Sequence, residues 1–232
     1  MRLASIPPAA YTATALLLIL LPALASLLQA QHGDAVMAME SEKDAAEPTA
    51  DRERAPGLRW IRGEPHMHEF SIWGGYAYDS HSLIGETDDV TLGVGGGRYN
   101  LRLLRWRRHL VEYSAEVSLF TRYRWPDDGR QRQLGGVGIS PLGLQLNFIS
   151  DRALQPYLRS TAGLMFLEAP FPDDRGTRVN FTFGVGGGAE LYLSDFSSLS
   201  VGYYFFHLSN GETGSVNPGI DSSLFMGTLT LF

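Results

Sequence analysis

His207, Ser209 and Asp221 are the residues whose types and spacing could do chemistry in this chain. A hydroxyl becomes a useful nucleophile only when a neighbouring base takes its proton, and that base works best when an acid holds its ring. Such a set performs acyl transfer. His207 and Ser209 stand two apart, and side chains two apart in a strand share a face. They end an apolar, aromatic run that begins at Val201 and reads as a strand. A loop rich in Gly, Asn and Pro follows, and a returning strand that ends on Phe232 can bring Asp221 alongside. A developing oxyanion would need preorganised donors. Asn210 and Asn217 carry side-chain amides, and Gly211 offers an unhindered backbone N–H. Turns also favour Ser, Asn and Gly for reasons of their own. Composition alone therefore leaves both a catalytic site and an ordinary loop end open.

These residues must be positioned by strands. From Leu58 onward, glycines and aromatics recur and apolar residues alternate with period two. Eight strands are expected, near 66–79, 89–104, 109–124, 133–149, 155–168, 178–193, 198–209 and 222–232. They are long for a soluble sandwich and long enough to cross a bilayer at a tilt. The connections at 80–88, 125–132, 169–177 and 210–221 read as long, and those at 105–108, 150–154 and 194–197 as short. That alternation, with no helical stripe, predicts an all-β fold: an eight-stranded antiparallel transmembrane β-barrel. His207 and Ser209 then sit at the outer end of strand seven. On that strand both faces are apolar enough to meet lipid. Phe232 falls out of phase with Phe225, Leu229 and Leu231, which a terminal bulge would reconcile. The glycine runs at 91–97 and 182–188 resemble each other but lack the lysine and helix of a phosphate loop. They suit tight strand coiling.

The rest of the chain sets limits. Residues 1–30 read as an export signal, with Arg2, a dense apolar stretch, and small-residue cleavage sites at Ala25 or Ala30. Residues 31–57 are polar and acidic and read as a disordered linker. The barrel is expected over 58–232. With no cysteine, disulfides and thiolate metal sites are excluded. A net charge of −6 argues against a nucleic-acid partner. His66 and His68 have ligand-like spacing without a third ligand, so no metal is expected. Trp60, Trp73, Trp106 and Trp125 fall near strand ends and suit interfacial girdles.

The run Phe206-His-Leu-Ser-Asn-Gly211, followed by Asn217-Pro-Gly-Ile-Asp221, resembles the signature of the outer-membrane lipid A 3-O-deacylases (the PagL family). The stretches Val179–Phe183 and Leu199–Tyr203 are similar to that family as well. The resemblance implies an eight-stranded barrel in the bacterial outer membrane and a serine esterase site on its lipid-facing wall. It needs no cofactor, and its substrate is lipid A of lipopolysaccharide. The family's histidine and serine map onto His207 and Ser209, and its asparagines onto Asn210 and Asn217. Its glutamate falls twelve residues past the serine, where this chain has Asp221, one methylene shorter. Glu212 is the other acid of the loop. A homodimer is left open. Two other readings compete with the 3-O-deacylase: a structural or adhesive barrel without catalysis, and a phospholipase.

Overall fold

The computed structural model describes residues 68–80, 83–127, 129–194 and 196–232. The expected export signal and linker, with Trp60 and His66, lie outside the described residues. Eight strands form: β1 (His68–Ala77), β2 (Thr91–Trp106), β3 (His109–Asp127), β4 (Arg130–Asn147), β5 (Leu154–Phe171), β6 (Thr177–Ser194), β7 (Ser197–Ser209) and β8 (Ile220–Leu231). Each pairs antiparallel with the next, and β1 pairs with β8, so the sheet closes. Closure leaves no edge strand, which a hydrocarbon environment requires. No helix among the described residues is long and apolar enough to cross a membrane.

The expected alternation of loop lengths fails at two hairpins: the β5–β6 connection, expected to be long, spans only 172–176 and is no longer than the β4–β5 connection at 148–153, and the β3–β4 connection is tighter still. β3 and β4 run on through the stretch expected to be a long loop and pair as far as Asp127 with Arg130. Asp127 extends a ladder instead of filling a loop. The register shifts between Ser118 and Thr121 show where β3 takes in extra residues.

The outer wall is apolar, with Ile72, Leu119, Leu142, Val201 and Phe225 all exposed. The lumen is divided. Toward the end carrying the β7–β8 loop it is filled by Leu92, Tyr123, Met165, Phe171, Leu208, Ile220 and Leu224. Trp73 and Trp125 belong to this filling and are not interfacial girdle residues. Trp73 donates to the Gly97 carbonyl at 3.1 Å, and Trp125 packs edge-on against Phe171. Toward the opposite end the lumen is polar. Arg102 meets Glu69 at 2.6 Å and Glu112 at 3.6 Å, and Arg98 and Arg159 both meet Glu116 at 2.5 Å. Buried charges persist only when paired in this way. Gly188 and Gly202 leave the room that Tyr157 needs, since a Cβ on either would stand within 3 Å of its hydroxyl. A cavity of about 40 Å³ remains between the halves, lined by Trp73, Glu116, Arg159 and Tyr204 among others. That is room for a few waters, not a ligand.

Phe232 needs no bulge. It follows the inward parity and stacks on Tyr192 with ring centroids 5.4 Å apart, closing the polar end of the lumen.

Candidate active site on the barrel wall

β7 resolves into two faces. Ser198, Ser200, Tyr204 and Leu208 are buried in the lumen, while Leu199, Val201, Tyr203, His207 and Ser209 take the outer parity. On β8 the outer parity belongs to Asp221, Phe225, Leu229 and Leu231. His207 and Asp221 are direct cross-strand partners. His207 Nδ1 and Asp221 Oδ1 lie 2.6 Å apart. One imidazole nitrogen is thereby committed to the carboxylate, and Nε2 is left to face a reacting group. Ser209 is one pleat further along the same face. Its cross-strand neighbour on the other side is Phe181, and that of His207 is Phe183. The hydroxyl and the imidazole thus stand in an aromatic, lipid-facing setting. Behind them, Leu208 and Ile220 pair on the lumen side and are almost fully buried.

Asp221 is only 1% exposed although it lies on the outer parity. The reason is a segment of the 80–88 connection, to which the sequence assigned no role at the site. β1 stops at Ala77, and residues 83–87 return beside the start of β8. Thr87 bridges Ile220 in parallel, and Glu86 N donates to the Pro218 carbonyl. The N–H groups of Leu83, Ile84 and Gly85 all donate to Asp221 Oδ2, at 2.9, 2.5 and 2.9 Å. Three donors on one oxygen fix the carboxylate and leave Oδ1 for the ring. They also offset the cost of burying the charge. Serving both at once answers the question raised by the shorter acid: aspartate reaches the imidazole here.

This arrangement needs two glycines. A Cβ on Gly85 would stand 2.9 Å from the backbone of Gly219 and Ile220. Gly219 has φ +63°, and a Cβ there would press on Gly85 and on His207 Cε1 at 3.1 and 3.2 Å. Side chains at these positions would push the 83–87 segment off the acid or the ring out of place. Gly219 stood inside the family-like run without an assigned role. Gly85 carried no sequence signal, because its partner is far away in the chain.

Asn210 and Asn217 brace the loop. Asn217 Oδ1 accepts from Asn210 N at 2.9 Å, and Asn217 Nδ2 donates to Glu212 at 3.0 Å. Asn210 Nδ2 donates to the Val216 carbonyl at 2.8 Å. Each side-chain amide thus donates once within the loop. Gly211 has φ +61° and stands against the Phe181 ring. Its N–H takes no part in the loop's hydrogen bonds. Glu212 is held by Asn217, and Asp221 is the acid that meets His207. The β5–β6 loop supports the structure from the side, with the Arg175 carbonyl accepting from Ser215 N at 2.8 Å and Val216 N at 3.3 Å. Elsewhere, His68 Nδ1 lies 2.6 Å from the Tyr99 hydroxyl. The described residues contain no cluster of three or more His, Asp or Glu able to hold a metal.

Several solved structures are similar to this chain. The crystal structure of the outer membrane enzyme PagL shares 13% identity, covers 68% of this chain and 97% of that one, and has a TM-score of 0.48. Neisserial surface protein A shares 13% identity, covers 71% and 96%, and has a TM-score of 0.45. The outer membrane protein OprG from Pseudomonas aeruginosa shares 10% identity, covers 72% and 96%, and has a TM-score of 0.42. No curated protein matches the sequence significantly. The family model of the lipid A 3-O-deacylases (PagL) matches residues 93–229, which is more than half of the chain and spans β2 to β8 with His207, Ser209 and Asp221. The chain is a β-barrel of the bacterial outer membrane and belongs to the PagL lipid A 3-O-deacylase family.

Proposed function

We propose that this protein is a serine esterase that removes the ester-linked acyl chain at the 3 position of lipid A. The supporting observation is the 2.6 Å contact between His207 Nδ1 and the buried, triply held Asp221, one pleat from Ser209 on the lipid-facing wall. Ser209 Oγ attacks the ester carbonyl carbon, and His207 Nε2 takes the hydroxyl proton. Asp221 keeps the ring in the right tautomer and stabilises the imidazolium. The Gly211 N–H is the loop donor free to face the oxyanion. Collapse of the tetrahedral intermediate breaks the bond to the sugar oxygen, which takes the proton from His207. Water then attacks the acyl-serine with His207 again as base, and a free fatty acid leaves.

The position of the site is part of the reaction. Acyl chains already lie against this wall in the bilayer plane, so the shared lipid phase supplies much of the proximity.

The test is incubation of purified protein with lipopolysaccharide and, separately, with glycerophospholipid, followed by mass spectrometry of both. Loss of one 3-hydroxy fatty acid from lipid A alone is expected, and Ser209→Ala should abolish it in a barrel that still shows the heat-dependent gel shift of the folded form. Undiminished release by that variant would end the esterase reading. Cleavage of phospholipid alone would move the reading to a phospholipase.

A further inference from the structure

Across the barrel from β7 and β8, the wall of β3 changes character over a few residues. Before and within its bulge it exposes Val117, Leu119 and Phe120, and the paired strand exposes Val137 and Ile139. Beyond the bulge, Tyr123 and Trp125 turn into the lumen and Arg122 and Arg124 take the outer parity. Two guanidinium groups thus stand at the end of an apolar, lipid-facing stripe. Long cationic side chains at such a boundary lie at the depth of lipid headgroups.

The surroundings leave both cations available. The cross-strand neighbours of Arg122 are Gly93 and Gly135, and those of Arg124 are Thr91 and Gln133. No carboxylate lies opposite either of them. Two nearby acids already have partners: Asp127 pairs with Arg132, and the Glu168 carboxylate, beside Arg122, accepts the Gly135 N–H at 3.1 Å. Gly93 keeps one flank of Arg122 low, and on the other the Glu168 carboxylate lies over Gly135. Arg124 lines an open depression together with Tyr76, Asp89, Gln131, Arg132 and Gln133. Among the described residues neither Arg122 nor Arg124 forms a salt bridge, although Asp89 shares the depression of Arg124 and the Glu168 carboxylate flanks Arg122.

We propose that Arg122 and Arg124, with the Gln133 amide, form a docking site for the phosphate of a membrane lipid, separate from the Ser209 wall. Guanidinium binds phosphate with two parallel hydrogen bonds, and the apolar stripe below accommodates the acyl chains of the same molecule. The ligand is a lipid-borne phosphate and not a soluble anion, because the cations and the apolar surface form one continuous strip. The site does not depend on the esterase reading, since it uses none of the residues around His207.

The experiment is native mass spectrometry of the full chain released from detergent, in the Ser209→Ala background so that lipid is not consumed. The probes are bis-phosphorylated lipid A, the same lipid dephosphorylated, and inorganic phosphate. Retention of the phosphorylated lipid should fall by about thirtyfold in the double variant Arg122→Gln/Arg124→Gln, and Arg122→Lys/Arg124→Lys should recover part of it. The dephosphorylated lipid should be held equally by all variants. Hydrolysis of a short soluble ester, measured with Ser209 restored, should be the same with or without the two arginines. Equal retention of phosphorylated lipid by wild type and the glutamine variant overturns the site. Tight binding of inorganic phosphate that competes away the lipid overturns the lipid assignment. The heat-dependent gel shift verifies that each variant is folded.

Discussion

At the end of the barrel that carries the site, the lumen is filled by Leu208, Ile220, Leu224, Met165 and Phe171. At the opposite end the same volume is filled by Arg102, Glu69, Glu112, Arg159 and Glu116, with Asn147 donating to Glu190 at 3.0 Å. Both fillings occupy the lumen behind the wall, but they differ in what they do to a neighbouring charge. Leu208 and Ile220 present no charge to the ring of His207, so Asp221 dominates the field there. The charged end could not host that pair as cleanly, because a guanidinium behind the strand would compete for the carboxylate. The difference teaches that a wall-mounted imidazole–carboxylate pair is best served by an apolar backing, while the remote end can meet its packing needs with ion pairs.

The comparison can be broken most severely at the acid. Asp221→Asn should lower the rate of acyl release by about three to four orders of magnitude, as removal of the orienting charge does in other triads, with the barrel intact. Steady-state kinetics on lipid A in mixed micelles measures it, and a loss of less than tenfold would remove Asp221 from the chemistry. Arg102→Met tests the other end. It strands Glu69 and Glu112 without their cation and should cost about 3–5 kcal/mol in stability, read from urea unfolding in micelles. Hydrolysis by the protein that remains folded should stay within about twofold. Leu208→Ala should cost about 2–4 kcal/mol by opening a cavity, yet it should also slow hydrolysis, because the cavity opens directly behind His207. If Arg102→Met slowed the reaction as much as Leu208→Ala, the two ends would not be independent.

A smaller effect is expected at Gly85. Gly85→Ala should displace the 83–87 segment from Asp221 and lower the rate about tenfold while leaving unfolding nearly unchanged. Unaltered kinetics would show that the three N–H donors are dispensable. The smallest effect belongs to the β5–β6 loop. Hydrogen bonds from the Arg175 side chain hold the Asp173 carboxyl down at about 2, below its usual 3.8. A depressed acid contributes above its unfolded value and loses that contribution as pH falls toward the folded one. Between pH 8 and pH 5 this pair should therefore impose no slope on stability. Asp173→Asn should change the rate by less than about twofold, since its loop holds the site loop through the Arg175 backbone carbonyl and not through the Asp173 side chain.

Much of this was legible from the chain alone, and the misses have a common cause. The period-two alternation located all eight strands, because one face of each is apolar wherever it meets lipid. The two-residue spacing of His207 and Ser209 put them on one face for the same geometric reason. The assignment of β7's faces was not legible, because the lumen behind the site is as apolar as the bilayer outside it. Trp73 and Trp125 looked like girdle residues for that reason and are lumen filling. The tight β3–β4 turn was hidden by Pro126 and Asp127, which read as loop and lie at the end of a long ladder.

The sequence by itself determined the strand count, the closed sheet that a lipid environment demands, and the parity of the histidine and the serine. Those are local consequences of pleat geometry and of the need to pair every backbone amide within lipid. Only the tertiary structure decided that a short acid would reach the imidazole. Three N–H groups more than 130 residues away in the chain had to close on Asp221 through the gap left by Gly85 and Gly219. No periodicity records a contact at that separation, because it depends on where two loops meet once the barrel has closed.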